Sequence, residues 1–218
     1  MRARPAAGGG RWVSVGPERI GRWVRGFAER HGEPLVEGGP EVVTLVAPDG
    51  SVAECHVPFP PLDSDGDLIA GFVAHANLPR RVGVLLVRLG GYAAGVFEGD
   101  RLVVSKVGNR LVHGRSAAGG WSQQRFARRR EKQSAEAFQA AADVAARVLL
   151  PHAGELDAFV TGGDRRAVDE LRGDRRLGPL FALEREPFLT VPDPKLAVLT
   201  ETPGLFRAVR IRVVDAAT

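Results

Sequence analysis

Three apolar runs follow one another with almost no chain between them, and this spacing constrains the fold more than any other feature of the sequence. The runs cover residues 82–88, 92–97 and 101–107, and they are separated by Gly90-Gly91 and by Glu98-Gly99-Asp100. Turns this short join only antiparallel neighbours, because a parallel crossover needs a dozen residues or more. The spacing predicts an antiparallel meander that leads into a short fourth run at 110–114.

The chain after this meander predicts one long helix and then an alternation of strands and helices. Residues 115–124 (RSAAGGWSQQ) have no apolar periodicity, whereas a helical pattern runs from about Gln124 to Leu150. Strands are predicted at 156–161, 188–191 and 205–214, and helices at 165–172 and 194–201. A meander followed by a helix and β-α-β-α-β describes an RNase H-like mixed sheet of the α+β or α/β class, covered by helices.

A smaller unit precedes this sheet. A helical pattern opens at Gly16-Pro17-Glu18 and stops at His31-Gly32, and Pro48-Asp49-Gly50 joins two β-rich runs into a hairpin. Residues 58–67 (PFPPLDSDGD) have the composition of a linker. We therefore predict a disordered lead at 1–11, a small N-terminal α+β unit at 12–62 and a larger domain at 67–215.

The composition excludes some kinds of covalent or metal site and indicates the cellular compartment. The single cysteine, Cys55, rules out an internal disulfide and a cysteine-based zinc cluster, and we expect it to be an inert buried thiol. No run approaches the roughly 20 apolar residues of a membrane span, and the lead has no apolar core of a secretory signal. We expect a cytoplasmic protein with no membrane partner. The sequence predicts no oligomeric state.

The segment around residue 120 is strongly basic. Seven Arg or Lys residues lie between Arg110 and Lys132, and only Glu131 opposes them. Because a helix N-terminus favours negative charge, arginines crowded there are unfavourable unless an anion binds. Nucleic-acid phosphate is the simplest such anion. The alternative is an ordinary solvated helix start.

These residues also carry a resemblance. Gly120, Trp121, Ser122 and Gln123, followed by an arginine-rich helix start, resemble the catalytic loop of the Vms-like release factors, and most of all their actinobacterial branch. That family is related to the central domain of the eukaryotic class-one release factors, which use a Gly-Gly-Gln loop. A second stretch at 159–168 (FVTGGDRRAV) is similar to an element of the same domain. The resemblance covers about residues 67–214.

The resemblance implies a metal-independent peptidyl-tRNA hydrolase, without cofactor, that acts on the large ribosomal subunit. Gln123 would be catalytic, orienting a water and stabilising the oxyanion, and Gly119 and Gly120 would give the loop its reach. The implied contacts to rRNA or tRNA are Arg115, Trp121, Arg125, Arg128, Arg129, Arg130 and Lys132. Gln124 is the alternative active residue if the register shifts by one, and Trp121 either stacks on a base or packs on the protein's own surface.

Other functions are weighed against this one. A non-enzymatic ribosome- or RNA-binding module with the same fold is the alternative from another class. A two-metal nuclease is disfavoured, because the predicted strands 82–88 and 92–97 contain no acid. Asp164, which follows two glycines, is either a helix cap or part of a phosphate cradle, and the cap is the commoner role. The acidic residues 63–67 are interpreted as linker rather than as a calcium loop.

Overall fold

The computed structural model describes residues 4–7, 9–63, 66–88, 91–109 and 122–216, with side chains of the helix at Ser122 described from residue 135 onward. The chain forms two compact units, one of residues 1–79 with 204–218 and one of residues 80–203. The strands are β1 (Arg4–Pro5), β2 (Arg11–Val15), β3 (Leu35–Gly38), β4 (Val42–Val46), β5 (Val52–His56), β6 (Arg81–Arg88), β7 (Gly91–Glu98), β8 (Arg101–Asn109), β9 (Ala158–Gly163) and β10 (Val209–Val214).

The α-helices are α1 (Ile20–His31), α2 (Leu68–Asn77), α3 (Ser122–Leu149), α4 (Arg165–Arg172), α5 (Gly178–Phe181), α6 (Leu196–Thr200) and α7 (Pro203–Phe206). Short 3₁₀ turns at Pro17–Arg19, Leu150–Glu155 and Arg175–Leu177 lead into α1, β9 and α5. No helix in the described part of the chain is both long enough and apolar enough to cross a membrane.

The first unit is an antiparallel sheet with two helices on one face. Its strand order is β1-β2-β10-β5-β4-β3. Alternate side chains point toward α1 and α2, where Phe27 and Phe72 are fully buried. Cys55 belongs to this core, and burial raises the pKa of its thiol to about 12, so the prediction of an inert buried thiol is confirmed.

Several elements of this unit differ from the sequence prediction. The helix α2 begins directly after the predicted linker, and the side chain of Asp67 caps it by accepting from the backbone N–H groups of Ile69 and Ala70. Its sequence, LIAGFVAHAN, is apolar almost all round and therefore lacks the periodicity that marks an amphipathic helix. The strands β1, β2 and β3 were also not predicted, and β1 lies within residues 1–11, which we expected to be a disordered lead.

The strand β10 lies in the first sheet and not at the end of the second, where the sequence predicted the strand at 205–214. It pairs with β2 and β5, and Ile211 lies opposite Val13 on one side and Cys55 on the other. Val209, Ile211 and Val213 are buried in the first core. A strand with alternating apolar residues fits any half-buried sheet, so its pattern alone could not assign β10 to a unit.

The second unit contains the predicted mixed sheet. Its order is β8-β7-β6-β9, in which β6, β7 and β8 form the antiparallel meander and β9 runs parallel to β6. The RNase H-like order of a meander extended by a parallel strand is confirmed. The predicted strand at 188–191 is reduced to a single bridge at Leu189, beside a second bridge at Glu184, and both lie along β9.

Candidate functional site

Four strand ends of the second sheet meet at one edge. In the register of the sheet, Arg88 lies opposite Gly91, and Gly91 lies opposite Asn109. On the other side of β6, Val87 lies opposite Gly163 at the end of β9. The carboxyl ends of the parallel strands β6 and β9 therefore share this edge, which we call the carboxyl edge.

The helix α3 crosses the sheet and ends on the side away from the carboxyl edge. Its last residue, Leu149, lies beside Gly83 near the opposite end of β6, and the chain then enters β9 at Ala158. With 28 residues α3 is about 42 Å long. The eight residues of β6 extend about 26 Å. By these lengths α3 is about 16 Å longer than β6.

The C-terminal half of α3 is the part that packs on the sheet. Ala141, Ala145 and Leu149 have no exposed surface, and Phe138 packs partly buried on the same core. Small residues along this stripe let the helix approach the sheet closely. This half supplies the tertiary packing from which most helical stability in proteins comes.

An ion-pair cluster holds α3 from the side. A guanidinium nitrogen of Arg176 donates to Asp143 on α3 at 2.9 Å, and another donates to Asp174 at 2.6 Å. Hydrogen bonds from Gln139 and then from Arg176 lower the pKa of Asp143 below its ordinary value, and those from Arg176 lower the pKa of Asp174. These groups are exposed, so their contribution to stability is small.

The predicted catalytic residue lies in this helix. Sequence reasoning placed Gln123 in the loop and began the helix near Gln124, whereas the structure begins α3 at Ser122 and places Gln123 in its first turn. Helix ends inferred from a sequence are uncertain by one or two residues, which accounts for the difference. Gln124 lies in the same turn. The side chains of both residues lie outside the described atoms.

The remaining predicted residues divide between backbone and undescribed chain. Arg115, Gly119, Gly120 and Trp121 lie outside the described residues, as does His113 on the run before them. The basic residues that the structure places along the α3 backbone are Arg125, Arg128, Arg129, Arg130 and Lys132. No acidic residue lies in the first turn of α3.

Two arginines that sequence reasoning did not select also lie at the carboxyl edge. Arg165 and Arg166 open α4 directly after β9, and both are exposed. The guanidinium carbon of Arg165 lies 4.1 Å from the centre of the Phe188 ring. The segment GGDRR contained the signal, because two arginines in a first helical turn are as unfavourable there as those of α3.

The neighbouring Asp164 is a helix cap. Its carboxylate accepts from the backbone N–H of Arg166 at 2.9 Å, and its own N–H donates to the Val87 carbonyl. The N–H of Gly163 donates to the Leu189 carbonyl. Three N–H groups of this turn, those of Gly163, Asp164 and Arg166, are therefore engaged within the protein, and the cap interpretation is confirmed.

Glu184, which forms an isolated bridge beside β9, is also engaged. The Thr161 hydroxyl donates to Glu184 at 2.8 Å, and the Arg172 guanidinium lies 2.5 Å from the other oxygen of the same carboxylate. In the described ranges no group of three His, Cys, Asp or Glu residues is arranged to hold a metal ion.

Comparisons with known proteins find one matching family model and several similar solved structures. The family model of the Actinobacteria/chloroflexi VLRF1 release factor matches residues 80–212, which is more than half of the chain. No curated protein matches the chain. Among solved structures, the archaeal translation termination factor aRF1 is similar, with 16% identity and a TM-score of 0.45, over 90% of this chain and 66% of that one. The chain thus spans slightly less than two thirds of the archaeal factor.

Two further solved structures are similar. The structure described as the Vms1 mitochondrial localization core shares 9% identity at a TM-score of 0.43, over 88% of this chain and 80% of that one. Dom34 of S. cerevisiae, described as a translation termination-like factor involved in RNA quality control pathways, shares 7% identity at a TM-score of 0.37. That match covers 93% of this chain and 66% of Dom34.

Proposed function

The chain belongs to the Actinobacteria/chloroflexi VLRF1 release factor family, and we propose that it hydrolyses peptidyl-tRNA on stalled large ribosomal subunits in the cytoplasm, with Gln123 as the catalytic residue. Water attacks the carbonyl carbon of the ester that joins peptide to tRNA. The bond to the ribose oxygen breaks, one proton of the water passes to that oxygen and the other is released to solvent, and the products are a peptide carboxylate and deacylated tRNA.

The position of Gln123 in the first turn of α3 is the observation that carries this proposal. Glutamine has no pKa near neutrality, so its amide orients the water and does not act as an ordinary general base. The first four N–H groups of any α-helix have no acceptor within the helix. In the first turn of α3 such groups, together with the positive end of the helix dipole, would stabilise the developing oxyanion.

The N-terminal half of α3 would hold the protein in the RNA. Arg125, Arg128, Arg129, Arg130 and Lys132 lie along its backbone, and Arg115 and Trp121 precede it. A helix about 16 Å longer than β6 would let these residues enter an RNA-lined site. Arg165 and Arg166, at the same carboxyl edge, would add contacts to phosphate.

Gly119 and Gly120 would allow the loop before α3 to adjust when it binds. Two adjacent glycines give a backbone more accessible conformations than other residues do, at a cost in entropy when the loop becomes ordered. Trp121 would stack on a base of the peptidyl-transferase centre, an interaction worth about 1–3 kcal/mol. The ribosome would supply the remaining surroundings of the ester.

Peptide release from purified large subunits that carry labelled peptidyl-tRNA tests this activity. We expect the wild-type protein to release peptide at the same rate with and without EDTA once the subunits have been stabilised by polyamines. A wild-type protein that binds the subunits but releases nothing would contradict the proposal and favour the non-enzymatic RNA-binding alternative.

The same assay with Gln123→Ala and Gln124→Ala determines which of the two glutamines is catalytic. Removal of one oxyanion-stabilising group costs about 10²- to 10³-fold in rate. We expect a loss of this size for Gln123→Ala and a rate close to wild type for Gln124→Ala. The reverse result would transfer the catalytic role to Gln124.

A further inference from the structure

The outer face of the first sheet carries an aromatic ring among arginines. Strand side chains alternate, and Trp12, His56 and Arg210 lie on the face opposite to the core. Arg4 on β1 and Arg212 on β10 each lie directly opposite Trp12 in the register, so they share this face. We call these five residues the Trp12 patch.

The rings of Trp12 and His56 meet over β10. Trp12 is on β2 and His56 is on β5, and β10 lies between these two strands. Neighbouring strands are about 4.8 Å apart, so the backbones of β2 and β5 are separated by about twice that spacing, whereas the centres of the two rings are 5.1 Å apart. The two side chains therefore lean toward each other across β10. The guanidinium carbon of Arg210 lies 4.9 Å from the centre of the same ring. Trp12 remains partly exposed in this position.

The charge of the patch is positive. Arg212 donates to the carboxylate of Glu54 at 3.1 Å and to the Gly9 carbonyl at 3.3 Å, so its charge is neutralised and its position is held. Arg4 and Arg210 are exposed, and neither pairs with a carboxylate of the described residues. Burial and the charge of Arg210 lower the pKa of His56, which keeps its imidazole neutral at neutral pH.

We propose that the Trp12 patch binds single-stranded RNA, with an unpaired base stacked along the indole and the adjacent phosphates held by Arg4 and Arg210. Aromatic rings on an open sheet face provide the π surface on which bases stack, and flanking arginines neutralise the backbone. A duplex hides its base faces and would use only the arginines. An acidic peptide would likewise leave the ring unused. This binding is separate from peptide release.

Anisotropy of a fluorescein-labelled oligouridylate, titrated with the full chain, tests the proposal. Loss of one base stack predicts that Trp12→Ala weakens binding about 5- to 150-fold. Trp12→Phe should retain most of the affinity, because it keeps a stacking ring. The slope of log K against log salt is negative, and we expect Arg4→Gln and Arg210→Gln each to reduce its magnitude by about 0.7.

Matched controls separate this patch from the basic half of α3. Arg22→Gln and Arg25→Gln remove exposed charges from α1, on the other face of the same sheet, and should leave binding unchanged. All of these variants are compared in a background in which Arg128, Arg129 and Arg130 are replaced by glutamine, so that RNA binding at α3 does not mask a loss at the patch. Photocrosslinks from a 4-thiouridine oligonucleotide should include residues within 4–14 and 209–214, and these should be lost in Trp12→Ala.

If Trp12→Ala and the wild-type protein bind the oligouridylate with equal affinity, the proposal is overturned. A protein would then be the better candidate partner for this face. Competition by a duplex as effective as that by the single strand would also overturn it, because base stacking would then not be involved. Neither result depends on peptide release, so failure here is distinguishable from failure of the hydrolase proposal.

Discussion

The two halves of α3 belong to one continuous helix, yet their residues serve opposite purposes. From Phe138 to Leu149 the helix places small and apolar side chains against the second sheet. From Ser122 to residue 134 it carries five basic residues against one acidic residue. A helix that is stabilised by packing at one end tolerates residues at its other end that oppose its own dipole. The packed half therefore provides the tertiary contacts, and it leaves the basic half free of that requirement.

The largest expected effect of a substitution on stability lies in the packed half. Leu149→Ala removes a fully buried side chain and should lower the free energy of unfolding by about 2–5 kcal/mol. The exposed Leu196 of the same unit offers a matched control, and Leu196→Ala should cost less than about 0.5 kcal/mol. Urea denaturation of both variants measures the difference. Similar losses would contradict the anchoring role of this half.

Substitutions in the basic half should change binding to the large subunit and leave the free energy of unfolding nearly unchanged. Replacement of Arg128, Arg129 and Arg130 by glutamine removes up to three phosphate contacts. The magnitude of the negative slope of log K for large-subunit binding against log salt should therefore decrease by about 2–3. The free energy of unfolding should stay within about 0.5 kcal/mol of the wild-type value, as is usual for surface substitutions. An unchanged salt dependence would remove these arginines from the proposed RNA contact.

A smaller effect is expected at Asp143, a partly exposed residue of the packed half. The pKa of Asp143 is lowered in the folded protein, so its ionised form stabilises the fold above its ordinary pKa of 3.8, and this contribution is lost as pH falls through the lowered value. Asp143→Asn should therefore reduce Tm slightly at neutral pH, with the difference from wild type disappearing in acid. A difference that persists below the lowered pKa would show that the ion pair with Arg176 is not its cause.

Much of the second unit was predictable from local signals. The short turns after Arg88 and Glu98 allow only antiparallel pairing, and the helix between β8 and β9 provides the long crossover that a parallel pair requires. The N-terminal end of α3 was predicted within two residues. Capping by Asp164 was also predictable, because a short polar side chain before a helix has a local partner.

Other features depend on contacts that a local pattern does not contain. The alternation of β10 indicates a half-buried strand but does not name its neighbours, and these turn out to be β2 and β5. The apolar sequence of α2 lacks a polar face, so its helical period was hidden. The Trp12 patch joins residues from the two ends of the chain, and only the strand register brings Arg4, Trp12 and Arg212 together.

The catalytic role of Gln123 is tested most directly by single-turnover peptide release with Gln123→Ala at saturating protein. Binding to the large subunit is measured in the same samples. Gln139→Ala, which changes an exposed glutamine in the packed half of α3, is the matched control. We predict that Gln123→Ala binds like the wild-type protein and releases peptide about 10²- to 10³-fold more slowly, while Gln139→Ala behaves as wild type. Release by Gln123→Ala at the wild-type rate would contradict the assignment of catalysis to the first turn of α3.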